Sequence, residues 1–558
     1  MGRRKTRLPV FCFMKRSFLT IVTLILLCSC VKNVEQPVNA ILSSIEFCGE
    51  PIALSFSPTL APVEGLTVDF TFTKALDISR FDRNKLLVSG AGEEDFSFSV
   101  DASAPKVLHV AATRPLPAFS QVTIKLEAGE NLGVNLMDDL VFSFTTEYDP
   151  SDKFGRIPAD ELFEKVQKAA FSYFWDYAHP TSGLARERLN SGNTVTTGGS
   201  GFGVMTIPVG IERGWITRSE GAERTLRIVD FLYDKAERFH GAWAHWIDGA
   251  SGKTIAFSKY DDGADLVETA FMIQGLLAVS HYFTGSDAVE TAIRSKIRSI
   301  WEGVEWTWFL QDGQDRLYWH WSPVHGWKMN MPISGWNEAL IVYVLAAGSP
   351  TYPISREVYE NGWARGGGIR NGKTFQGVTL PLGQDLGGPM FFAHYSFMGL
   401  DPRHLKDQYA DYWEQNRAHA LINHHYCARS KKGYGYSDAC WGLTASDYSK
   451  GYAASSPTRD LGTIAPTAAL ASFPYVPEQA QAAMEYFYYK VGDRLWGEYG
   501  FRDAFSFKDG WFAKSYIAID EGPIVVMMEN HRTGLLWDCF MQDEDVRRGL
   551  TALGFTWE

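Results

Sequence analysis

Two hydrophobic rhythms divide the chain. From about Ile41 to Thr146 apolar and polar residues alternate, as in Leu66-Thr-Val-Asp-Phe-Thr-Phe72, Phe96-Ser-Phe-Ser-Val100, Val122-Thr-Ile-Lys-Leu126 and Leu140-Val-Phe-Ser-Phe144. A period of two puts every second side chain on one face, the pattern of a strand buried on one side. Turn-forming runs such as Ser89-Gly-Ala-Gly92 and Gly129-Glu-Asn131 separate the strands. Strands of about five residues at this spacing predict a β-sandwich over 43–147. After a charged, proline-bearing link at 148–157 the period turns helical and stays so over 158–558.

Twelve segments carry the helical period: 160–178, 218–237, 265–283, 287–309, 334–347, 354–363, 387–399, 404–427, 463–474, 477–493, 521–532 and 543–553. The second opens on a capping box, Thr217-Arg-Ser-Glu220. Long loops rich in glycine and tryptophan join them, notably 184–216, 311–333, 364–386, 428–462 and 496–519. Connections of that length are uncommon in a compact domain unless they serve a site. The count predicts a mainly α fold, an (α/α)6 toroid whose six inner helices and their loops surround a central cleft. A less regular helical array is the alternative.

Composition narrows the function classes. A chain of 558 residues exceeds one ordinary domain. Its formal charge of -12, with no basic stripe beyond the N-terminus, excludes a nucleic-acid binder. All 18 tryptophans lie at or beyond Trp175. The sandwich, without clustered acids or exposed-looking aromatic triads, is therefore expected to be a spacer rather than a glycan-binding module.

The stretch from Met14 to Cys30 has a basic start and an apolar run too short to cross a membrane as an anchor. It ends in Leu27-Cys-Ser-Cys30, which resembles a bacterial lipobox. That resemblance implies a signal peptide over 1–30, lipidation of Cys30 and a tether over 31–42. The protein would be an exported lipoprotein facing the periplasm or the cell surface. Cys427 and Cys440, 13 apart, are a candidate bridge in an oxidising compartment, and no zinc-ligand spacing accompanies them. No cofactor or metal motif is found: HExxH is absent, Arg365-Gly-Gly-Gly-Ile369 lacks the Gly-Lys-Ser/Thr of a P-loop, and Gly198-Gly-Ser-Gly-Phe-Gly-Val204 lacks a βαβ context.

Chemistry concentrates where loops enter helices. In Ser258-Lys-Tyr-Asp-Asp-Gly-Ala-Asp-Leu-Val-Glu268, Asp265 and Glu268 stand three apart in a first helical turn and project from one side. Capping is the plain alternative. Glu338, in Gly335-Trp-Asn-Glu338, is expected in the first turn of an apolar, buried helix. Desolvation there raises a carboxyl toward the range of a general acid. Asp262, Trp336, Asp438, Trp441, Asp503 and Glu521 mix acids with aromatic and glycine neighbours at similar junctions. Such mixtures suit sugar rings and hydroxyls, and each residue has the alternative of capping or loop hydrogen bonding. Hydrolysis adds the need for an acid and a base or nucleophile.

Residues from about 158 onward resemble the bacterial "putative glucoamylase" or glycoamylase-like family, which includes the endo-β-1,2-glucanases of glycoside hydrolase family 144. The resemblance rests on Phe174-Trp-Asp-Tyr177, Ser258 through Ala270, Gly335-Trp-Asn-Glu338, Tyr436-Ser-Asp-Ala-Cys-Trp-Gly-Leu-Thr-Ala-Ser446 and Asp520-Glu-Gly-Pro523. It implies an (α/α)6 barrel, inverting hydrolysis of β-1,2-glucan and functional acids at Asp265, Glu268 and Glu338. Glu338 is one catalytic partner, and Asp265 or Glu268 is the base or a substrate anchor. The sandwich resembles bacterial Ig-like modules. The expected partners are a glucan or oligosaccharide and a lipid anchor, with a monomeric chain. Exo-acting, sophorose-releasing or α-glucan hydrolysis, and a non-catalytic glycan-binding lipoprotein, are the alternatives.

Overall fold

The computed structural model describes residues 37–558. The signal segment and Cys30 lie outside the described residues. The N-terminal unit is built from β1 (Asn39–Ala40), β2 (Leu42–Phe47), β3 (Glu50–Ile52), β4 (Thr67–Phe72), β5 (Leu86–Ser89), β6 (Phe96–Ser99), β7 (Val107–Ala112), β8 (Gln121–Leu126), β9 (Gly129–Asn131), β10 (Val134–Leu136) and β11 (Leu140–Thr145). One sheet has the order β3-β2-β4-β7-β6, a second β11-β8-β5, and a small third β1-β10-β9. Alternation decides the faces. Val68, Phe70 and Phe72 of β4 point inward with Leu108 and Val110 of β7. They meet Val122, Ile124, Phe142 and Phe144 of the second sheet, with Phe70 edge-on to Phe142 at 5.5 Å.

The rest is mainly helical: α1 (Ala159–Trp175), α2 (Thr197–Glu212), α3 (Arg218–Asp234), α4 (Leu266–Tyr282), α5 (Ala288–Glu302), α6 (Leu340–Gly348), α7 (Arg356–Asn361), α8 (Tyr412–Ala428), α9 (Pro466–Leu470), α10 (Pro477–Glu485), α11 (Gly492–Leu495), α12 (Ala518–Arg532), α13 (Leu535–Phe540) and α14 (Glu544–Leu553). An inner ring runs α12–α2–α4–α6, then two 3₁₀ turns at Met390–Ala393 and Tyr395–Phe397, then α9 and back to α12. His394 and Ser472, 3.0 Å apart, join the 3₁₀ turns to the α9 side. Outer helices back this ring: α1 on α12, α3 on α2, α5 on α4, α14 on α6, α8 on the first 3₁₀ turn and α10 on α9. Amphipathicity sorts the two layers. All of α6 is buried, whereas α5 buries Ile293, Ile297 and Ile300 along one stripe and exposes Thr291, Ser295 and Arg298 opposite.

Several elements differ from the sequence expectation. Helix α2 lies inside a segment read as the loop 184–216. Its glycines, poor helix formers in isolation, serve close packing here. A Cβ on Gly201 would stand 2.4 Å from the Phe271 carbonyl oxygen, and one on Gly275 would stand 2.1 Å from that of Gly201. The two helices therefore cross backbone to backbone. The helix expected at 387–399 is the pair of 3₁₀ turns, α6 begins only at Leu340, and α8 only at Tyr412. The segment 477–493 breaks at a π turn, Tyr486–Lys490. Cys427 and Cys440 do not bridge: both are free, buried thiols, and burial pushes Cys427 up to about 12.

Candidate active site

The ring's centre opens into a cavity of about 460 Å³ at the N-terminal ends of α2, α4 and α6. Helix N-termini carry unpaired N–H groups and a partial positive charge, so they suit carboxylates. Asp265 caps α4, accepting from the Val267 and Glu268 amides at 3.0 Å each. It stands in a short strand paired with His320–Trp321 and is 1% exposed. Glu268, one turn on, faces the cavity and accepts a 2.6 Å hydrogen bond from the Gly198 amide at the start of α2. His245 lies beside both, its Nδ1 3.1 Å from Asp265 and 4.0 Å from Glu268. Glu338 faces the same cavity from the turn that precedes α6. The Ser396 hydroxyl donates to its carbonyl oxygen and fixes that turn.

Burial sets the protonation states. Desolvation pushes Glu338 up to about 7, and the charges of Glu268 and Asp265 add to it. Glu268 is raised chiefly by burial, against the pull of the His245 charge. Burial would raise Asp265 too, but the His245 hydrogen bond and the His320 and His245 charges outweigh it and hold the carboxyl down. Burial works against a charged His245, yet Glu268 and Asp265 carry it up to about 9. The result is a cationic imidazole beside the Asp265 carboxylate and Glu268, with the Glu338 carboxyl, raised to about 7, facing the same space.

The opposite wall holds Arg188 and Tyr452. Arg188 is paired to Asp447 at 3.0 Å, and Asp447 accepts from the Ser515 hydroxyl at 2.5 Å. The Asp447 amide donates to Asp503 at 2.6 Å. Asp503 is 4% exposed and pushed up to about 7 by burial and by the Asp447 charge. Asp520 and Glu521 are buried nearby and raised as well, by burial first and then by Asp503. A larger hollow of about 790 Å³, lined by Phe163, Glu164 and Arg532, lies between α1 and the C-terminal end of α12. Arg532 pairs with Glu164 there at 3.1 Å, and none of Asp265, Glu268 and Glu338 lines it.

Of the residues singled out from sequence, Glu268 and Glu338 reach the cavity, and Asp265 sits directly behind Glu268. Asp503 and Glu521 gather with Asp520 behind the opposite wall. The others are not brought to the cavity. Trp336 is packed against Trp363 and Phe397 and donates to His419 at 3.3 Å, whereas Trp441 is fully buried and donates to the Gln479 carbonyl. The Asp438 side chain is exposed on a loop. One oxygen of Asp262 is buried without a partner, outside the cavity lining. Sequence reasoning missed His245, Arg188, Tyr452 and Asp261. The tryptophans flanking Trp243-Ala-His-Trp246 are the one signal that pointed to His245. Among the described residues His245, Asp261 and Asp265 offer donor atoms within 4.8 Å of one another, a set able to hold a cation in place of the shared proton.

A closed helical ring whose cleft has carboxylates on its floor and aromatics on its walls defines a helical-barrel protein with a site of sugar-binding composition. Comparison with known proteins names the family. The chain belongs to the glycoamylase family, described as "Putative glucoamylase", whose model matches residues 330–544. It is 47% identical over 417 residues to an exo β-1,2-glucooligosaccharide sophorohydrolase (non-reducing end) of Parabacteroides distasonis; the match covers 71% of this chain but 58% of that protein's length. A crystal structure of a "putative glucoamylase" from Bacteroides uniformis is 59% identical, with a TM-score of 0.71, over 72% of this chain and 99% of that one. An endo-β-1,2-glucanase from Chitinophaga pinensis, solved with sophorotriose and glucose, is 51% identical with a TM-score of 0.70, over 72% and 99% of the two chains.

Proposed function

We propose that this protein hydrolyses β-1,2-linked glucan in the cleft of an (α/α)6 barrel. The observation that carries the reading is the Glu338 carboxyl, raised to about 7 and facing the same cavity as Glu268. Relatives at 47% and 51% identity that act on β-1,2-linked glucose chains supply the substrate class. Glu338 donates its proton to the glycosidic oxygen as the bond to the anomeric carbon breaks. Glu268 takes a proton from the water that attacks that carbon from the opposite face, giving inversion. The Gly198 amide and the His245 cation favour the ionised form of Glu268. Asp265 acts through His245, which it holds at 3.1 Å, and by capping α4. Incubation with linear β-1,2-glucan and, in parallel, starch tests the reading: short β-1,2 oligomers from the first and nothing from the second are expected, and glucose from starch alone overturns it.

A second reading, exo action releasing sophorose, is favoured by the activity of the Parabacteroides relative. Sophorose as the sole early product selects it, and a ladder of oligomers selects endo cleavage. We further infer that the N-terminal sandwich is an Ig-like module and that Cys30 carries a lipid anchor; diacylglycerol on the mature N-terminal cysteine, read by mass spectrometry, tests the anchor.

A further inference from the structure

The sandwich buries one side chain in the core of the helical unit and packs a second against it. Phe119, between β7 and β8, is 6% exposed and belongs to the apolar cluster of the ring rather than to that of its own sheets. Its ring meets Phe507 and Phe512 edge-on at 5.6 and 5.5 Å, and the Arg494 guanidinium lies 5.0 Å from its centre. Its backbone has φ of 48°, a left-handed conformation that an aromatic residue adopts only under strain. Leu60, with φ of 56°, also packs on the helical core. A Cβ on Gly435 would meet both Leu60 and Phe507, and the neighbouring Thr59 hydroxyl donates to the Gly433 carbonyl. Two apolar residues in strained backbone, both used at one interface, are not the design of a passive linker.

What they press on leads to the cleft. Phe512 pairs with Phe505 in a hairpin, the rings stacked at 5.4 Å. Two residues before Phe505, Asp503 donates its amide to the Ser515 carbonyl and accepts from the Asp447 amide. Asp447 holds Arg188 and is paired across a second hairpin with Tyr452, and both of these line the cavity. We propose that the sandwich is a buttress for the Arg188–Tyr452 wall of the cleft, with Phe119 as its positioning residue. It sets how well that wall grips a glucan chain without touching the reacting atoms. This inference rests on the glucan reading only for its kinetic test.

The test uses the full chain and Phe119→Gly, which removes the ring and relieves the positive φ, with Phe119→Tyr as the conservative partner. In hydrogen exchange, amides of 445–454 and 503–515 are expected to exchange at least about tenfold faster in Phe119→Gly, with α4 unchanged and Phe119→Tyr close to wild type. On β-1,2-glucan, KM is expected to rise about five- to tenfold with kcat within about twofold. Unchanged exchange in both segments overturns the proposal, as does an equal acceleration in α4, which would mean general loosening. The exchange result decides even if the wild-type chain leaves glucan intact, so failure of the glucan reading is told apart. Phe507→Leu, from the opposite side of the contact, must reproduce the local acceleration.

Discussion

Glu338 and Asp265 show how position, more than residue type, sets a carboxylate's protonation state. Glu338 is kept from water by its surroundings but opens onto the cavity, and among the described residues no cation is paired with it, so its proton is held to about 7. Asp265, buried more deeply, is held ionised by His245 and by two backbone amides. Glu338→Gln is accordingly expected to lower kcat by about 10²- to 10⁴-fold with KM changed little. In the wild type, kcat/KM is expected to fall about tenfold per pH unit above roughly 7, as the acid loses its proton. Retention of turnover in Glu338→Gln would move the acid elsewhere. Asn caps a helix about as well as Asp, so Asp265→Asn should keep the melting temperature within about 3 °C while kcat/KM drops about tenfold. Equal loss of both would make Asp265 a structural cap alone.

At the level of elements, α2 and α4 are the pair on which the site is hung. Glu268 takes its hydrogen bond from Gly198 because the two helices approach within backbone contact at Gly201 and Gly275. Gly201→Ala places a methyl group 2.4 Å from a carbonyl oxygen that cannot rotate away. A loss of about 3 kcal/mol or more is expected, read as a lowered urea midpoint, with activity falling in the fraction that still folds. The same crossing explains what the sequence concealed. Period-two strands and amphipathic outer helices such as α5 were legible because one face is wet. Helix α2 was not, since a segment buried on all sides has no polar stripe and its glycines read locally as a loop. The cavity positions of Glu268 and Glu338 were legible, the first from its place with Asp265 in a first helical turn, the second because charge is costly in such apolar surroundings. Arg188 was not, because its partner Asp447 lies 259 residues along the chain, and His245 was not, because it comes from a loop with no motif of its own. Trp336 and Trp441 misled for the opposite reason: aromatic residues beside acids serve cores as readily as sugar faces.

In the whole molecule, one side of the cleft is backed by acids that the fold keeps protonated, and this shapes its response to pH. Asp503 sits at about 7 against an ordinary value near 3.8, with Asp520 and Glu521 raised further by burial and by Asp503. A folded-state pKa above the unfolded one means that the native protein binds more protons between about pH 4 and 7. The stabilisation is complete below about pH 4 and is lost as pH rises through 7, on the order of 4 kcal/mol for one such group. Asp503→Asn removes the ionisation but leaves a carbonyl oxygen able to accept the Asp447 amide. Its melting temperature relative to wild type should therefore climb between pH 5 and pH 8, by several degrees, in calorimetry across that range. A constant offset at both ends would mean that Asp503 ionises normally in the native protein. The wall carrying Arg188 and Tyr452 would then be held by the Asp447 hydrogen bonds and the sandwich contact without help from a neutral acid.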